Sequence, residues 1–428
     1  MKMTVLPSRV SGTVDAVPSK SHAHRLLIAA ALADAPAKVI CPALSRDIER
    51  TAECLAALGA AVTRTEDGFE VTPISKVKKG AVLNAGESGS TLRFLLPVAC
   101  ALGADATFTG EGRLPFRPLG TLTDALTRGG ASISSPAAHP DTDSASSPSL
   151  PLTTGGKLAG GEFAVDASVS SQYVSGMLFA LASLGSECVL KTMGDAVSEG
   201  YTEMTLDALA LFGKRVKKTA EGYLIPDGGL HSPGTVRAEG DWSSAAFMLA
   251  AGALAGDVTV TGLDPRSAQR DKRIADILAG MGAEVSFPAG DRCRVKAAPL
   301  RAVRADVDDI PDLAPVLSVL MAAAEGESVM TGVARLRDKE SDRLAAIVHN
   351  LSAMGIDAEI RGNSLLIRGG KIKNFAASGF GDHRMVMSAA VAGLLAGGEV
   401  TDAEAAAKSY PAFFRDLKLI GGKTHETV

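Results

Sequence analysis

The 428-residue chain has few cysteines, and they do not cluster. The five lie far apart along the sequence, at Cys41, Cys54, Cys100, Cys188 and Cys293, and none belongs to a CxxC pair. A disulfide framework in a secreted protein is built from a compact set of cysteines, which this chain lacks. The cysteine pattern therefore favours a reduced, cytoplasmic compartment.

The chain also lacks an excess of basic charge. Its 44 lysines and arginines are outnumbered by 48 aspartates and glutamates, which gives a formal net charge of −4 and an isoelectric point near 6.0. Domains that bind nucleic acids in a general way are broadly basic. We therefore expect no nucleic-acid partner, and any positively charged site must be local.

Long apolar runs are missing as well. Glycine or proline interrupts the longest apolar runs before they could span a bilayer. The first residues, MKMTVLPSRVSG, lack the apolar core of a signal peptide. We therefore expect a cytoplasmic protein without a membrane partner, and a chain of this length predicts two domains.

What the chain does contain is a repeat with a period of about 70 residues. Six apolar segments begin with serine or aspartate and end near glycine. Serine and aspartate are favoured helix N-caps, and glycine commonly ends a helix. The pattern predicts six helices of one kind, which begin near Ser19, Ser88, Ser170, Asp241, Asp312 and Asp382.

Amphipathic helices and short β-like stretches lie between these apolar segments. A helix that is apolar nearly all round is buried, whereas an amphipathic helix keeps one face in solvent. The six units therefore predict an α/β fold of two domains, each with three buried parallel helices and sheets outside. One interval is longer, and its serine- and proline-rich segment 134–151 predicts an exposed inserted loop.

Cations are concentrated near the N-terminal ends of the buried helices. If these helices run parallel, their N-termini meet at one end of each domain, where free N–H groups and helix dipoles attract anions. Arginine and lysine suit phosphates and carboxylates, although each one alone could equally be a solvated helix-end charge. The residues are Lys20, Arg25, Arg93, Arg117, Lys339, Arg343, Arg384 and Lys408.

Two acidic residues and two histidines stand in the same segments. Asp312 is either a helix N-cap, a general base or acid, or both, and Glu340 is a candidate for proton transfer. His22 and His24 lie two residues apart, on different faces of a helix, and no cysteine or carboxylate cluster is near them. We therefore predict no metal site and expect these histidines to be polar neighbours of the pocket or surface residues.

Several short motifs occur in order along nearly the whole chain, and together they resemble the EPSP synthase (3-phosphoshikimate 1-carboxyvinyltransferase) family. They are PSKSHAHR, GESGSTLRF, RLPFRPLG, SVSSQYVSG, GDAVSEGYTEMT, IPDLAP, RDKESDRL, GDHRMVMSAA and AKSYPAFF. The resemblance implies two inside-out α/β domains of three units each. One would cover residues 13–233, the other 1–12 and 234–428, with the active site in the cleft between them.

The resemblance also implies a reaction. The family transfers the enolpyruvyl group of phosphoenolpyruvate to the 5-hydroxyl of shikimate 3-phosphate, in chorismate and aromatic amino acid biosynthesis. Addition of the hydroxyl gives a tetrahedral intermediate, from which phosphate is eliminated, and no metal or organic cofactor is needed. Both substrates are polyanions, which suits a site of helix N-termini and cations. We expect a monomer.

The matching motifs imply roles for individual residues. Asp312 is the implied base at the hydroxyl, Glu340 the implied proton donor at the methylene carbon, and Lys20 an implied contact of both substrates. The implied contacts of shikimate 3-phosphate are Lys20, Ser21, Arg25, Ser170, Ser171, Gln172, Ser198, Asp312 and Lys339. Those of phosphoenolpyruvate are Lys20, Gly89, Arg117, Gln172, Arg343, Arg384 and Lys408.

Some positions differ from common family patterns. Glu87 stands where asparagine is frequent, Arg270 replaces a usual glycine, and Arg335 replaces an asparagine that contacts the shikimate ring in some members. Gly89, rather than alanine, predicts a pocket that admits the inhibitor glyphosate.

Two other functions remain open. The sister enzyme that acts on UDP-N-acetylglucosamine usually has a reactive cysteine where this chain has GEGRLPFRPLG. A non-catalytic protein that binds phosphorylated metabolites would not need Asp312 and Glu340 among cations, and it would show no turnover.

Overall fold

The structure is a computed structural model that describes residues 1–135, 148–194, 199–288 and 290–427. The chain divides into two compact units, each of which has most of its contacts within itself. The middle unit is Lys20–Ala238, and the terminal unit combines Met1–Ser19 with Glu239–Val428. Both units are mixed α/β, as the sequence pattern predicts.

Two kinds of α-helix alternate along the described chain. Helices of the first kind are buried on nearly all sides, because alanine, leucine, valine and methionine cover most of their surface. They are α1 (Lys20–Leu32), α3 (Gly89–Leu102), α5 (Ser171–Ser183), α7 (Trp242–Ala255), α9 (Ala314–Ala323) and α11 (His383–Ala396).

Helices of the second kind have buried and exposed residues in alternation, so one face lies in solvent. They are α2 (Arg46–Leu58), α4 (Gly120–Arg128), α6 (Glu199–Leu211), α8 (Arg273–Gly280), α10 (Arg343–Ala353) and α12 (Phe413–Leu419). Short 3-10 helices cover Leu114–Phe116, Arg270–Lys272, Ala334–Asp338 and Ala403–Lys408.

The described strands form four-stranded sheets, each with one parallel pair followed by two antiparallel pairs. The first sheet of the middle unit has the order β14 (Thr235–Arg237), β3 (Ala37–Ile40), β5 (Gly68–Thr72), β4 (Ala61–Thr65). The second is β6 (Ala81–Asn84), β7 (Ala106–Thr109), β9 (Leu152–Gly156), β8 (Ala131–Ser134). The third is β10 (Glu162–Asp166), β11 (Cys188–Met193), β13 (Gly222–Ile225), β12 (Lys217–Thr219).

The terminal unit repeats this pattern. Its first sheet is β2 (Val10–Asp15), β15 (Gly256–Thr261), β17 (Cys293–Lys296), β16 (Glu284–Ser286). The second is β18 (Arg304–Asp306), β19 (Glu327–Thr331), β21 (Ser364–Arg368), β20 (Asp357–Arg361). The third is β22 (Phe375–Ala377), β23 (Gly398–Val400), β1 (Lys2–Leu6), β24 (Lys423–Thr427), so the first strand of the chain completes the last sheet.

Strand pairing fixes where the chain passes from one unit to the other. β2 pairs in parallel with β15 along its whole length, so residues 13–15 belong to the terminal unit. β14 pairs with β3, which keeps residues 235–237 in the middle unit. The chain therefore crosses after Ser19 and after Ala238, slightly later than the expected crossings at residues 12 and 233.

Side-chain caps explain where several buried helices begin. Four of them are capped by the residue that the sequence pattern predicts, namely Ser88, Ser170, Asp241 and Asp382. The pattern is wrong at α9, whose N-cap position is occupied by Leu313 without a side-chain hydrogen bond. The carboxylate of Asp312 is therefore available to contact other groups.

The buried helices of each unit pack against one another and form its core. Close packing of α3 on α5 depends on Gly176, where a Cβ would lie 2.2 Å from the carbonyl oxygen of Arg93. Phe94 and Phe179 pack between the same helices, with ring centroids 6.1 Å apart. In the terminal unit, α7, α9 and α11 make the corresponding contacts. Burial of these apolar helices supplies the main hydrophobic stabilisation of each unit.

The inserted loop predicted for residues 134–151 falls mostly outside the described residues. The strands that flank it, β8 and β9, pair in an antiparallel manner. Within the described part of the chain, no helix combines the length and the apolar character needed to cross a membrane.

Candidate active site

The predicted site residues form two clusters, one in each unit, near the N-terminal ends of buried helices. The middle-unit cluster comprises Lys20, Arg25, Gly89, Arg93, Arg117 and Gln172. The terminal-unit cluster comprises the predicted residues Asp312, Lys339, Glu340, Arg343, Arg384 and Lys408, together with Asp382, which was not predicted as a site residue.

Arg343, the first residue of α10, is fully buried and contacts three carboxylates. Its Nη1 donates to Asp312 Oδ1, its Nη2 to Glu340 Oε2 and its Nε to Asp382 Oδ2, each at 2.8 Å. Burial opposes the charge, but Asp382, Glu340 and Asp312 raise the pKa of Arg343 well above its ordinary value. A buried guanidinium is tolerated when opposite charges and hydrogen bonds surround it, and each nitrogen of this one donates to a carboxylate.

Asp312 lies between two arginines. Its Oδ1 accepts from Arg343, its Oδ2 accepts from Arg384 Nη2 at 2.8 Å, and its carbonyl oxygen accepts from Arg384 Nη1 at 3.3 Å. Burial alone would raise the pKa of Asp312, but Arg384 and Arg343 hold it well below the usual range. The carboxylate is therefore ionised, and its basicity depends on what else these arginines bind.

Lys339 and Lys408 add two further cations to the terminal-unit cluster. Burial lowers the pKa of Lys339 to about 8, and although Asp312 favours its charged form, Arg335 opposes it. Lys408 Nζ donates to the carbonyl oxygen of Gly381, just before α11, at 2.8 Å. A lysine with this pKa is only partly charged near pH 8, so its charge responds to pH and to a bound anion.

In the middle unit, Lys20 pairs with a residue that the sequence analysis missed. Its Nζ lies 2.9 Å from Asp47 Oδ2 in the first turn of α2, and both side chains are about one-seventh exposed, at 14% and 15%. The available signal was Ser45, which caps α2 and marks Asp47 as part of a helix N-terminus. Lys20 is thus held beside the N-terminal ends of α1 and α2.

Arg25 is almost completely buried, and its contacts are with protein groups. Its Nε donates to Thr205 Oγ1 at 2.8 Å and its Nη2 to the carbonyl oxygen of Tyr201 at 2.7 Å, while its guanidinium carbon lies 4.9 Å from the centre of the Phe94 ring. Burial lowers its pKa to about 9. The residue therefore joins α1 to α6, and its described oxygen partners carry no full charge.

Gln172 links the N-terminal ends of α3 and α5. Its Nε2 donates to Ser90 Oγ at 3.0 Å, and its Oε1 accepts from Arg93 Nη1 at 2.9 Å. The same arginine donates to the carbonyl oxygen of Pro118 at 3.1 Å and lies against the ring of Tyr173. These contacts confirm that the N-terminal ends of α3 and α5 lie at the same end of the unit.

Gly89, the first residue of α3, leaves room for two guanidinium groups. A Cβ at this position would lie 2.7 Å from Arg117 Nη1 and 2.9 Å from Arg93 Nη1. Contacts this short do not occur between a side-chain carbon and a nitrogen without movement of one of them. Glycine is therefore needed here if both arginines are to keep their positions.

The predicted serines have different surroundings. Ser170 accepts from the Gln172 N–H as the cap of α5, Ser171 is buried in the first turn, and the carbonyl oxygen of Ser21 accepts from Arg25 Nη1 at 2.6 Å. Ser198 lies outside the described residues.

The structure also gives the surroundings of the two histidines and of the arginines that differ from the family pattern. His22 and His24 are buried, so the surface alternative is wrong for both, and burial lowers the pKa of His22 to about 4. Arg270 lies 3.4 Å from Asp309, and Arg335 lies 3.9 Å from Asp308.

Two buried aspartates of the terminal unit were not recognised as site residues. Asp382 is completely buried, caps α11 and contacts Arg343. Asp271 is 3% exposed and accepts a hydrogen bond from Ser243. Burial first, and then the nearby charge of Asp312, raise the pKa of Asp271 to about 7. The neighbouring sequence does not reveal the role of either aspartate, except that Asp382 stands at the start of an apolar helix.

The described residues contain no group of three or more histidine, cysteine, aspartate or glutamate side chains that could hold a metal ion. The two clusters supply lysine, arginine, carboxylate and amide groups. Such groups bind phosphates and carboxylates and exchange protons.

A family model described as EPSP synthase (3-phosphoshikimate 1-carboxyvinyltransferase) matches residues 5–417. The chain belongs to the EPSP synthase family. A 3-phosphoshikimate 1-carboxyvinyltransferase from Aeropyrum pernix is 40% identical over 426 residues, which cover 99% of this chain and 96% of the relative. One of the same name from Methanocorpusculum labreanum is 36% identical over 432 residues, which cover 100% of each.

The solved EPSP synthase of Acinetobacter baumannii shares the fold. The TM-score is 0.81 at 24% identity, with 99% of this chain and 100% of that chain covered. This likeness confirms the predicted inside-out α/β architecture. As a member of the family, the chain is a transferase that carries out the EPSP synthase reaction of aromatic amino acid biosynthesis, and the family's substrates are phosphoenolpyruvate and shikimate 3-phosphate.

Proposed function

We propose that the two clusters divide this reaction between anion binding and proton transfer. The middle-unit cluster binds the substrate anions, and the terminal-unit cluster adds cations and moves the protons. The observation that carries the proposal is the carboxylate of Asp312, held ionised by the buried Arg343 and Arg384. Any substrate anion that contacts these arginines acts on the same carboxylate.

Shikimate 3-phosphate binds, in this proposal, mainly to the N-terminal ends of α1 and α5. Helix N–H groups and the positive end of the helix dipole favour a phosphate there, and Lys20 supplies charge beside them. Arg25 acts largely by fixing α1, since most of its described donors already contact protein oxygens. The full set proposed is Lys20, Ser21, Arg25, Ser170, Ser171, Gln172, Ser198, Asp312 and Lys339.

Phosphoenolpyruvate binds to the N-terminal end of α3 and to the arginines of the terminal-unit cluster. Two guanidinium groups flank Gly89, and arginine binds phosphate and carboxylate in a bidentate manner. Lys20 contacts both substrates. The full set proposed is Lys20, Gly89, Arg117, Gln172, Arg343, Arg384 and Lys408.

Asp312 is the base in this scheme, and substrate binding activates it. In the free protein the two arginines stabilise its ionised form and make it a weak base. When the anion of phosphoenolpyruvate takes over hydrogen bonds from Arg343 and Arg384, the carboxylate loses partners and gains a like charge nearby. Both effects raise the pKa of Asp312, which then accepts the proton of the 5-hydroxyl as its oxygen attacks C2 of phosphoenolpyruvate.

Glu340 is the proposed proton donor to the methylene carbon, which becomes a methyl group in the tetrahedral intermediate. It shares Arg343 with Asp312, so the acid and the base are fixed by one guanidinium. Elimination reverses the step at carbon: Glu340, now a carboxylate, takes back a proton from the methyl group, the double bond re-forms, and the C2–O bond breaks as phosphate leaves with the proton that Asp312 had accepted. We also propose that the protein is a cytoplasmic monomer and that glyphosate inhibits it.

The proposal is tested by following phosphate release from phosphoenolpyruvate with either shikimate 3-phosphate or UDP-N-acetylglucosamine as acceptor. Release only with shikimate 3-phosphate is expected. Release only with the UDP-sugar would assign the chain to the sister activity. Tight binding of both shikimate-pathway substrates without phosphate release would support a non-catalytic binding protein.

A further inference from the structure

Buried polar side chains form a hydrogen-bonded chain from α1 through α2 to the N-terminal end of α3. His24 Nδ1 lies 2.6 Å from Thr51 Oγ1. This hydroxyl lies 2.7 Å from Thr91 Oγ1, which in turn donates to Ser88 Oγ at 2.8 Å. None of the four side chains is more than 1% exposed. Because a buried polar group is costly unless it is hydrogen-bonded, each residue depends on the next.

In this series of side chains, each hydrogen bond is donated in the direction from His24 towards Ser88. Ser88 Oγ, the cap of α3, accepts from both the N–H and the hydroxyl of Thr91. The hydrogen of Thr91 is used there, so Thr51 must donate to Thr91, and His24 Nδ1 must donate to Thr51. His24 is therefore the tautomer with its hydrogen on Nδ1. Burial lowers the pKa of His24 well below its ordinary value, which keeps the ring neutral.

The other ring nitrogen supports this tautomer. His24 Nε2 has no hydrogen-bond partner within the described part of the chain. A buried acceptor without a partner is tolerated better than a buried N–H without one. The hydrogen is therefore better placed on Nδ1, where Thr51 accepts it.

The series of hydrogen bonds ends at Ser88, next to a closely packed position of the proposed phosphoenolpyruvate site. Ser88 is followed by Gly89, where even a methyl group would meet Arg117 at 2.7 Å and Arg93 at 2.9 Å. A shift of the α3 end by a few tenths of an ångström changes how its first N–H groups and both guanidinium groups face a ligand. Groups that bind a reacting anion work only within such narrow tolerances.

We propose that His24, Thr51 and Thr91 are positioning residues for the anion-binding end of α3. They do not contact the substrate, and they act through the Ser88 cap. A fully satisfied buried network specifies one arrangement of the helices that carry it, which an apolar core does less strictly. The inference rests on the proposed function in taking phosphoenolpyruvate as the anion bound next to Gly89.

Thr51→Val tests the proposal, because valine keeps the shape of threonine and removes the central hydroxyl. We expect the KM for phosphoenolpyruvate to rise about three- to tenfold, with kcat changed by less than about twofold. Thr51→Ser keeps the hydroxyl and restores the KM. The matched control is Thr154→Val in the same unit, because Thr154 is buried and its hydroxyl donates to the carbonyl oxygen of Ala104 at 2.9 Å. Equal KM values for Thr51→Val and Thr154→Val would overturn the proposal.

Two further measurements separate this inference from the proposed function. The nitrogen NMR shifts of His24 should show a protonated Nδ1 in the wild-type protein, and a ring protonated on Nε2 would overturn the inference. Calorimetric titration with phosphoenolpyruvate should give a Kd about three- to tenfold higher for Thr51→Val than for Thr154→Val, and equal Kd values would overturn it. Absence of phosphate release by the wild-type protein would count against the proposed function alone, since the Kd ratio still decides the inference.

Discussion

The two clusters balance their positive charge in different ways. In the terminal-unit cluster, the buried Arg343 contacts three carboxylates, and Arg384 contacts Asp312. In the middle-unit cluster, the described hydrogen bonds of Arg25 and Arg93 go to hydroxyl, amide and carbonyl oxygens. Two arginines of the terminal-unit cluster thus pair with carboxylates, whereas in the middle-unit cluster Lys20 pairs with Asp47 and Arg25 contacts neutral oxygens.

This difference shows how two cationic sites of one enzyme are suited to different tasks. An arginine that contacts neutral oxygens has no carboxylate partner whose protonation a substrate anion could control. A cluster in which arginines already bind carboxylates has less charge to offer, yet an incoming anion changes the pKa of those carboxylates. In the proposed scheme, proton transfer is therefore assigned to the terminal-unit cluster.

The largest effect is expected from Asp312→Asn, which removes the proposed base and nearly keeps its shape. We expect kcat to fall roughly 10²- to 10⁴-fold, the usual range for loss of a general base, with the fold retained by circular dichroism. Asp257→Asn is the matched control, because Asp257 also pairs with an arginine, Arg294, but at an exposed position. A kcat for Asp312→Asn within a few-fold of the control would remove Asp312 from the mechanism.

The next largest effect is a difference in stability between variants of the two buried arginines, Arg343 and Arg25. Arg343→Met leaves three carboxylates without their shared cation and should lower the free energy of unfolding by about 3–5 kcal/mol. Arg25→Met leaves neutral oxygens unpaired and should cost about 1–3 kcal/mol. Urea unfolding of both variants measures the difference. If Arg25→Met proved as costly as Arg343→Met, the distinction between the clusters would be lost.

A smaller effect is expected from Gly89→Ala, which tests the middle-unit cluster alone. The added methyl group must displace Arg117 or Arg93, and we expect the KM for phosphoenolpyruvate to rise about tenfold, the equivalent of a modest overpacking cost. Gly229→Ala is the control in the same unit, because a Cβ there meets nothing within 4 Å. Steady-state kinetics of both variants measure this KM. An unchanged KM in Gly89→Ala would show that the arginines can move without any loss of phosphoenolpyruvate binding.

The smallest effect is a pH dependence that arises from Lys339. Its ammonium form attracts the substrate anion, and since the pKa of Lys339 is lowered to about 8, this form disappears as the pH rises through 8. The kcat/KM for shikimate 3-phosphate should therefore fall by half near pH 8 and up to about tenfold by pH 9. Lys339→Arg should remove the fall in this range. A flat profile between pH 7 and 9 in the wild-type enzyme would contradict the role of this lysine.

Sequence reasoning predicted the features that depend on nearby residues. Ser88, Asp241 and Asp382 cap their helices because a cap and the first turn are adjacent in the chain. The same rule failed at Asp312, whose carboxylate contacts arginines 31 and 72 residues further along the chain. A local pattern carries no information about partners that only the packing of separate helices brings together.

The remaining differences have the same origin. The pairing of Lys20 with Asp47 joins residues 27 positions apart on two helices. The crossing points between the units depend on which distant strand β2 and β14 pair with. The sequence gives no sign of the contacts of His24, because Thr51 and Thr91 become its neighbours only through the packing of α1, α2 and α3.

The proposed role of Asp312 is tested most directly by the pKa of its carboxyl, measured by carbon NMR in the free enzyme and with saturating phosphoenolpyruvate. Asp312→Asn identifies the signal. In the free enzyme we expect the Asp312 carboxyl to stay ionised at pH values well below the usual range for a carboxyl, because Arg384 and Arg343 lower its pKa. Its pKa should be higher once the substrate anion has taken over those arginines. The same pKa with and without phosphoenolpyruvate would contradict the claim that substrate binding turns Asp312 into the base.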